Sequence, residues 1–245
     1  VKYGFGFGIG GLLFPYYLGV VRELREEGYL VADTPTAGSS AGAIAAGIHV
    51  SQLSVDEVLL LTIGVMDDFR EKRRIGTLRE IVRARMHHHL PKNIHELASG
   101  RIATVLCTFP GFEAVKILHY DSPEDFINAL LASSHVPIYM NWSPFVGYHD
   151  YLCIDALFSD CIPLPEGNGL KLVRVSCFPQ SLLQRFGRSA EIYYGKCEDQ
   201  RHTLLRLLGW IFCPPETKEI HELIAQGRDD VKAWIAEQES TPVSS

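Results

Sequence analysis

A chain of 245 residues, 47% hydrophobic and 21% charged, is long enough to bury a substantial core as one domain and too apolar to be disordered. Its formal net charge of −6 removes any electrostatic argument for nucleic-acid binding. The longest uninterrupted apolar runs are about ten residues, such as Leu12 to Val21, which contains a proline and a glycine, and fall short of the roughly twenty residues of a membrane-spanning helix.

No signal peptide is visible, and the start at Val1 leaves room for a targeting segment already removed. Cysteines 107, 153, 161, 177, 197 and 213 are scattered, with no C-x-x-C pair. They read as small buried residues of an intracellular, reduced protein, soluble or peripheral on a membrane.

The chain opens with Tyr3-Gly4-Phe5-Gly6-Phe7-Gly8-Ile9-Gly10-Gly11. Aromatics at alternate positions predict a short buried strand, and the glycines predict close approach of backbone or ligand. A helix follows from about Pro15, with Tyr17, Val20, Val21 and Leu24 on one face and Gly28 as its C-terminal cap. Further helices are expected from Ala41 and over Ser54 to Met66, the latter opened by a Ser54–Glu57 capping box.

Arg101 to Phe109 reads as a buried strand and Lys116 to Tyr120 as a shorter one. Asp121 or Ser122 caps a helix through Ala132, with Pro123 in its first turn. Strands are expected at Tyr151 to Ile154 and Lys171 to Ser176. A closing helix over Glu216 to Gln238 would bury Ile220, Leu223, Ile224, Val231, Trp234 and Ile235. Such alternation predicts an α/β fold with a largely parallel central sheet flanked by helices on both faces.

The run from Pro35 to Gly47, PTAGSSAGAIAAG, has almost no side-chain bulk. Within it, Gly38-Ser39-Ser40-Ala41-Gly42 fits G-x-S-x-G, in which a serine sits on a sharp strand-to-helix turn and the flanking positions must be small. The amides of the following helix would point at Ser40, where negative charge develops during acyl transfer. Gly8, Gly10 and Gly11, at the end of the first strand, are candidate oxyanion donors. The same stretch also satisfies G-x-G-x-x-G, but the strand before it is too short for a convincing dinucleotide site. Asp155 ends an apolar strand, where parallel α/β folds place functional groups; a salt-bridged or capping aspartate is the plain alternative.

Taken in order, these segments resemble the patatin-like phospholipase family over roughly residues 3 to 165, with a C-terminal strand and helices filling 166–239 of the one domain expected over 1–245. The matching motifs are Gly8-Ile9-Gly10-Gly11, Gly38 through Gly42, and Asp155-Ala156. Two connecting pieces extend the match: Tyr16 through Val21, and Ala132-Ser133-Ser134-His135-Val136-Pro137 against an "A-S-x-x-x-P" segment. The resemblance implies a Ser40–Asp155 dyad, with Gly38 and Gly42 shaping the nucleophile turn and amides around Gly10 and Gly11 holding the oxyanion. It also implies no metal and no organic cofactor, and acyl esters of phospholipids or other glycerolipids as substrates at a membrane surface. Acyl transfer through the same acyl-serine, and a non-catalytic binding or assembly role, are the alternative readings.

Three residues depart from the family pattern: Phe14 where a further glycine is usual, Leu157 where a small residue is, and Cys161 in place of asparagine. If the turn after Asp155 required positive φ, Ala156 would cost roughly 1 kcal/mol against glycine.

Of the histidines, His49, His135 and His149 merit attention as triad members, whereas His87-His88-His89 read as a surface run without metal-ligand spacing. The arginines and lysine at 70, 72, 73, 74, 79, 83 and 85 form either a face attractive to anionic lipid or a solvated helix. Arg201 to Phe212, including Trp210, reads as an interfacial patch or a docked helix.

Overall fold

Two strands meeting end to end along one edge of a third organise the sheet. The computed structural model describes residues 2–72 and 75–240. In chain order the elements are β1 (Lys2–Phe7), α1 (Phe14–Glu26), β2 (Thr36–Ser39), α2 (Ala41–Ser51), α3 (Val55–Lys72), α4 (Leu78–His89), α5 (Ile94–Ala98), β3 (Ile102–Phe109), β4 (Glu113–Ile117) and α6 (Pro123–Ser133). Then follow β5 (Val146–Tyr148), β6 (Tyr151–Ile154), β7 (Leu170–Ser176), α7 (Gln180–Arg185), β8 (Ile192–Tyr193), α8 (Leu204–Trp210) and α9 (Thr217–Ser240).

The eight strands among the described residues join one sheet. β1 lies at its centre, parallel to β2 on one side and β7 on the other; β3 extends it beyond β2 and β8 beyond β7, also in parallel. The antiparallel strands gather around β3. β4 takes one edge of β3 along Thr104 to Thr108. β2 and β6 therefore share the other edge, with Ser39 opposite Val105 and Ile154 opposite Cys107. They approach each other head-on, and the residues that follow, Ser40 and Asp155, converge beside Leu106.

Helices flank this sheet. Phe5 and Phe7 on β1 pack edge-on against Trp234 of α9 and Tyr17 of α1. α1 and α9 cross where glycines bring backbone to backbone: a Cβ on Gly19 would overlap the Ile224 carbonyl, and one on Gly227 the Tyr16 carbonyl. Of the α9 face expected from its spacing, Ile220, Leu223, Ile224, Val231 and Trp234 are buried, while Ile235 is half-buried at its edge. On the opposite side of β1 the cover is extended chain. A Cβ on Gly6 would overlap the Pro163 carbonyl, and one on Gly4 would lie 2.9 Å from the Pro165 ring. The alternating glycines of β1 thus let residues 161–165 lie directly on the sheet.

The capping signals act as expected: Ser54 and Glu57 exchange hydrogen bonds at 3.0 and 3.2 Å, and Ser122 Oγ accepts from the Asp125 N–H at 3.1 Å. The second short strand lies at Glu113–Ile117, earlier than its apolar residues suggest, because the hairpin with β3 sets its register. Arg79 is buried and donates to the Leu131 carbonyl at 3.1 Å; Arg83 pairs with Glu124, Arg85 with Asp68, and Arg70 with Asp67. These arginines are engaged within the fold and offer no free basic face. Arg73 and Arg74 lie outside the described residues, as does the Lys72 side chain.

Gly6→Ala is expected to lower stability by about 2 kcal/mol, the scale of overpacking a tight site. The midpoint of urea unfolding measures this; an unchanged midpoint would mean that residues 161–165 do not rest on β1.

Candidate active site

Ser40 occupies the turn between β2 and α2 with φ 54° and ψ −124°. Positive φ in a residue with a Cβ is strained and persists only where the surroundings enforce it. Here they do. A Cβ on Gly42 would overlap the Phe7 carbonyl oxygen and one on Gly38 the Gly42 carbonyl, so the first turn of α2 sits against the end of β1 with no room for side chains. The Ser40 N–H donates to Ser133 Oγ at 2.9 Å, and that hydroxyl donates to the Val105 carbonyl at 2.6 Å. Ser133, in the Ala132–Pro137 segment, therefore ties the turn to β3, a role its sequence match left unstated.

Asp155 follows β6, an antiparallel strand, so its position does not come from the carboxyl end of a parallel one. Its Oδ2 accepts from Ser40 Oγ at 2.8 Å and its Oδ1 from the Leu157 N–H at 2.8 Å. Ser40 and Asp155 are 6% and 4% exposed. Burial pushes the Asp155 carboxyl up to about 6, while the hydrogen bonds from Leu157 and Ser40 pull the other way. Ala156 opens a 3-10 turn and is not at positive φ, so the alanine there carries no backbone cost. The turn is tied down in its own right: Ser39 Oγ donates to the Asp160 carbonyl at 2.6 Å, and the Ile9 N–H to the Cys161 carbonyl at 3.0 Å.

Of the three candidate oxyanion glycines, Gly8 is occupied otherwise: its N–H donates to the Val175 carbonyl at 2.9 Å, continuing the β1–β7 ladder. Gly10 and Gly11 line the cavity beside Ser40, and Ala41 joins them at the first position of α2. Gly11 has φ +56°, and a Cβ there would lie 2.5 Å from the Ile211 carbonyl. The loop is braced by Tyr17, whose hydroxyl donates to the Ile9 carbonyl at 2.9 Å.

Ser40 and Asp155 open into a cavity of about 920 Å³ that runs past Ile44, Leu53, Val65, Met66 and Met86. That volume suits a long apolar chain. At its mouth Phe158, Phe186 and Phe212 are 52%, 74% and 47% exposed.

The three singled-out histidines stand elsewhere. His49 is buried on α2, and burial pushes its imidazole down to about 4. His135 contacts the Ser143 carbonyl at 3.1 Å, and His149 pairs with Asp125 at 2.7 Å. None lines the cavity. Asp121, Asp125 and His149 place ligand-capable atoms within 4.8 Å of one another at the start of α6, as a partly exposed acid–imidazole cluster that does not line the Ser40 cavity. In the Arg201–Phe212 segment Trp210 is buried against His202, while Leu205 is 82% exposed on the opposite side of α8. The docked-helix reading therefore holds for Trp210.

Known proteins are similar to this chain in sequence and in fold. The chain is 34% identical over 164 residues to human patatin-like phospholipase domain-containing protein 2, covering 64% of this chain and 32% of that one. It is 26% identical to human patatin-like phospholipase domain-containing protein 4 over 93% of this chain and 94% of that one. The chain belongs to the patatin-like phospholipase family. Another relative, a mouse 1-acylglycerol-3-phosphate O-acyltransferase, is 26% identical over 63% of this chain and 39% of its own length. The chain thus spans about a third of the first of these relatives. No protein-family model matches it. Among solved structures, VipD from Legionella pneumophila has the same fold, with a TM-score of 0.52 at 11% identity over 98% of this chain and 67% of that one. No helix among the described residues is long and apolar enough to cross a membrane.

The raised pKa of Asp155 has a stability consequence. Between its ordinary value of 3.8 and its folded value of about 6, the unfolded chain has released the proton that the folded chain keeps, so stability falls as pH rises through that window. The loss amounts to about 3 kcal/mol. Asp155→Asn should therefore gain stability over the wild type progressively from pH 4 to pH 7 in thermal melts; a gain independent of pH would contradict the buried carboxylate.

Proposed function

We propose that this chain is a lipid acyl hydrolase that cleaves acyl esters of phospholipids or other glycerolipids through Ser40 and Asp155. The observation that carries the reading is the 2.8 Å hydrogen bond from Ser40 Oγ to the buried Asp155 carboxylate, at the end of a large apolar cavity. Ser40 Oγ attacks the ester carbonyl while Asp155 takes its proton, and the carboxyl returns that proton to the departing alcohol. A water then attacks the acyl-Ser40, again delivering its proton to Asp155, and Ser40 leaves with a proton restored. The amides of Gly10, Gly11 and Ala41 face the developing oxyanion at the N-terminal end of α2. No histidine is needed, because a carboxylate held near 6 is basic enough to accept the proton in its ionised form at neutral pH.

Acyl transfer is the second reading, favoured by the relative named an acyltransferase. The same acyl-Ser40 would pass to an alcohol in place of water. Product analysis with an added acceptor separates the two. The exposed apolar residues at the cavity mouth support a seat on a lipid surface, with Phe158, Phe186 and Phe212 toward the acyl chains.

A fluorophosphonate probe should label Ser40 alone, and the labelling rate should rise with pH to a plateau above about 6 as Asp155 loses its proton. Ser40→Ala and Asp155→Asn should each reduce ester turnover about a thousandfold or more. Folded protein that takes no label would refute the reading. For the lipid surface, Phe186→Ser combined with Phe212→Ser should lower liposome partitioning, read by flotation, about a hundredfold or more, given roughly 1.5–3 kcal/mol for each buried aromatic; equal flotation would sink that orientation.

A further inference from the structure

A second cavity, of about 620 Å³, shares a wall with the first. Phe158, Ser159 and Ile162, in the chain segment that leads onto the glycine side of β1, line both. The first cavity is apolar, whereas the second is ringed by cations. Lys116 on β4, Arg174 on β7 and Arg188 beyond α7 face it, against the single carboxylate of Asp160. Lys116 Nζ is engaged, by Glu166 at 2.9 Å and the Leu164 carbonyl at 3.3 Å.

The guanidinium groups of Arg174 and Arg188 make no hydrogen bond or ion pair with any described residue. Glu191 accepts from the backbone N–H of Arg174 at 2.6 Å. Most other described arginines are engaged, by carboxylates at Arg22–Asp56, Arg85–Asp68 and Arg228–Glu23 or by backbone carbonyls at Arg25 and Arg79. Two unpaired guanidiniums facing one cavity are therefore available to a ligand. Arg188 also lines the apolar cavity, and its charge reaches Cys161 there, opposing the rise that burial imposes on the thiol.

We propose that Arg174 and Arg188 hold an anionic headgroup, a phosphate monoester, of the acyl ester whose chain fills the apolar cavity. Planar guanidinium forks match the geometry of phosphate oxygens, and a dianion balances both cations. A neutral headgroup leaves the two charges without a partner, and a zwitterionic one brings its own cation against them. The consequence for turnover rests on the hydrolase reading; the binding itself does not.

The test compares a short-chain 1-acylglycerol-3-phosphate with the 1-acylglycerol of the same chain, both below their micellar concentrations. Calorimetric binding to Ser40→Ala removes catalysis from the measurement. The phosphate ester should bind at least about tenfold more tightly. Arg174→Gln and Arg188→Gln, each added to Ser40→Ala, should erase most of that preference, and Arg174→Lys should restore part of it. Equal affinities for the two esters would overturn the assignment. Tight binding of inorganic phosphate with no gain from the acylglycerol would overturn it too, giving the cavity to a free ion. With Ser40 intact, the ratio of kcat/KM for the two esters should fall in the same arginine variants. Preference in binding without turnover of either ester would refute the hydrolase reading and leave the headgroup site standing; turnover without preference would do the reverse.

Discussion

Ser40 and Asp155 meet because two strands run toward each other along one edge of β3. β2 arrives parallel and stops opposite Val105; β6 arrives antiparallel and stops opposite Cys107. Only the position of Leu106 separates the two registers, so the next residue of each strand has nowhere to go but toward the other. The hydroxyl and the carboxylate are thus set by backbone pairing, the stiffest device the fold has, and not by long side chains reaching across a cleft. Ser133 adds a third tie from α6 to the same stretch of β3.

Such convergence leaves little space, and the small residues follow from it. Gly38 and Gly42 admit the first turn of α2 against β1, while Gly4 and Gly6 admit residues 161–165 against its other side. The cost is visible in two places. Ser40 is held at a backbone angle that favours glycine, and Asp155 keeps a carboxylate out of water with only two hydrogen-bond donors in compensation. Both are local sacrifices of stability, and they coincide at the pair to which we assign the chemistry.

What could be read in the sequence was local. The Ser54–Glu57 box, the Ser122 cap and the buried face of α9 depend on residues a few positions apart, and each is found where its spacing put it. The run around Ser40 was legible because a stretch without bulk has few other uses. Partners distant in the chain were not legible. The Gly8 amide looks free until β7 is seen to take it, and the arginines of α4 look like a basic face until Leu131, Glu124 and Asp68 are seen to engage them. β5 and β8, of three and two residues, are too short to carry any periodicity. The direction of β6 was hidden for the same reason: a strand's sense is a property of its neighbour. Trp210 illustrates the limit from the other side, since an amphipathic stretch does not say which of its apolar residues the protein will keep.

The pairing of β1 with β7 places the first strand of the chain beside one that comes far later, Lys2 opposite Leu170 and Phe7 opposite Val175. During synthesis, β1 can acquire β2 early, but its second edge has no partner until β7 has left the ribosome. Over that interval the nascent chain carries an open, aromatic-rich strand edge, the kind that pairs with whatever strand is near. The alternation of glycine with Phe5 and Phe7 makes that strand weak on its own. The central strand of the finished sheet is therefore among the last to be secured, and the nucleophile turn resting on it forms firmly only when the sheet is closed.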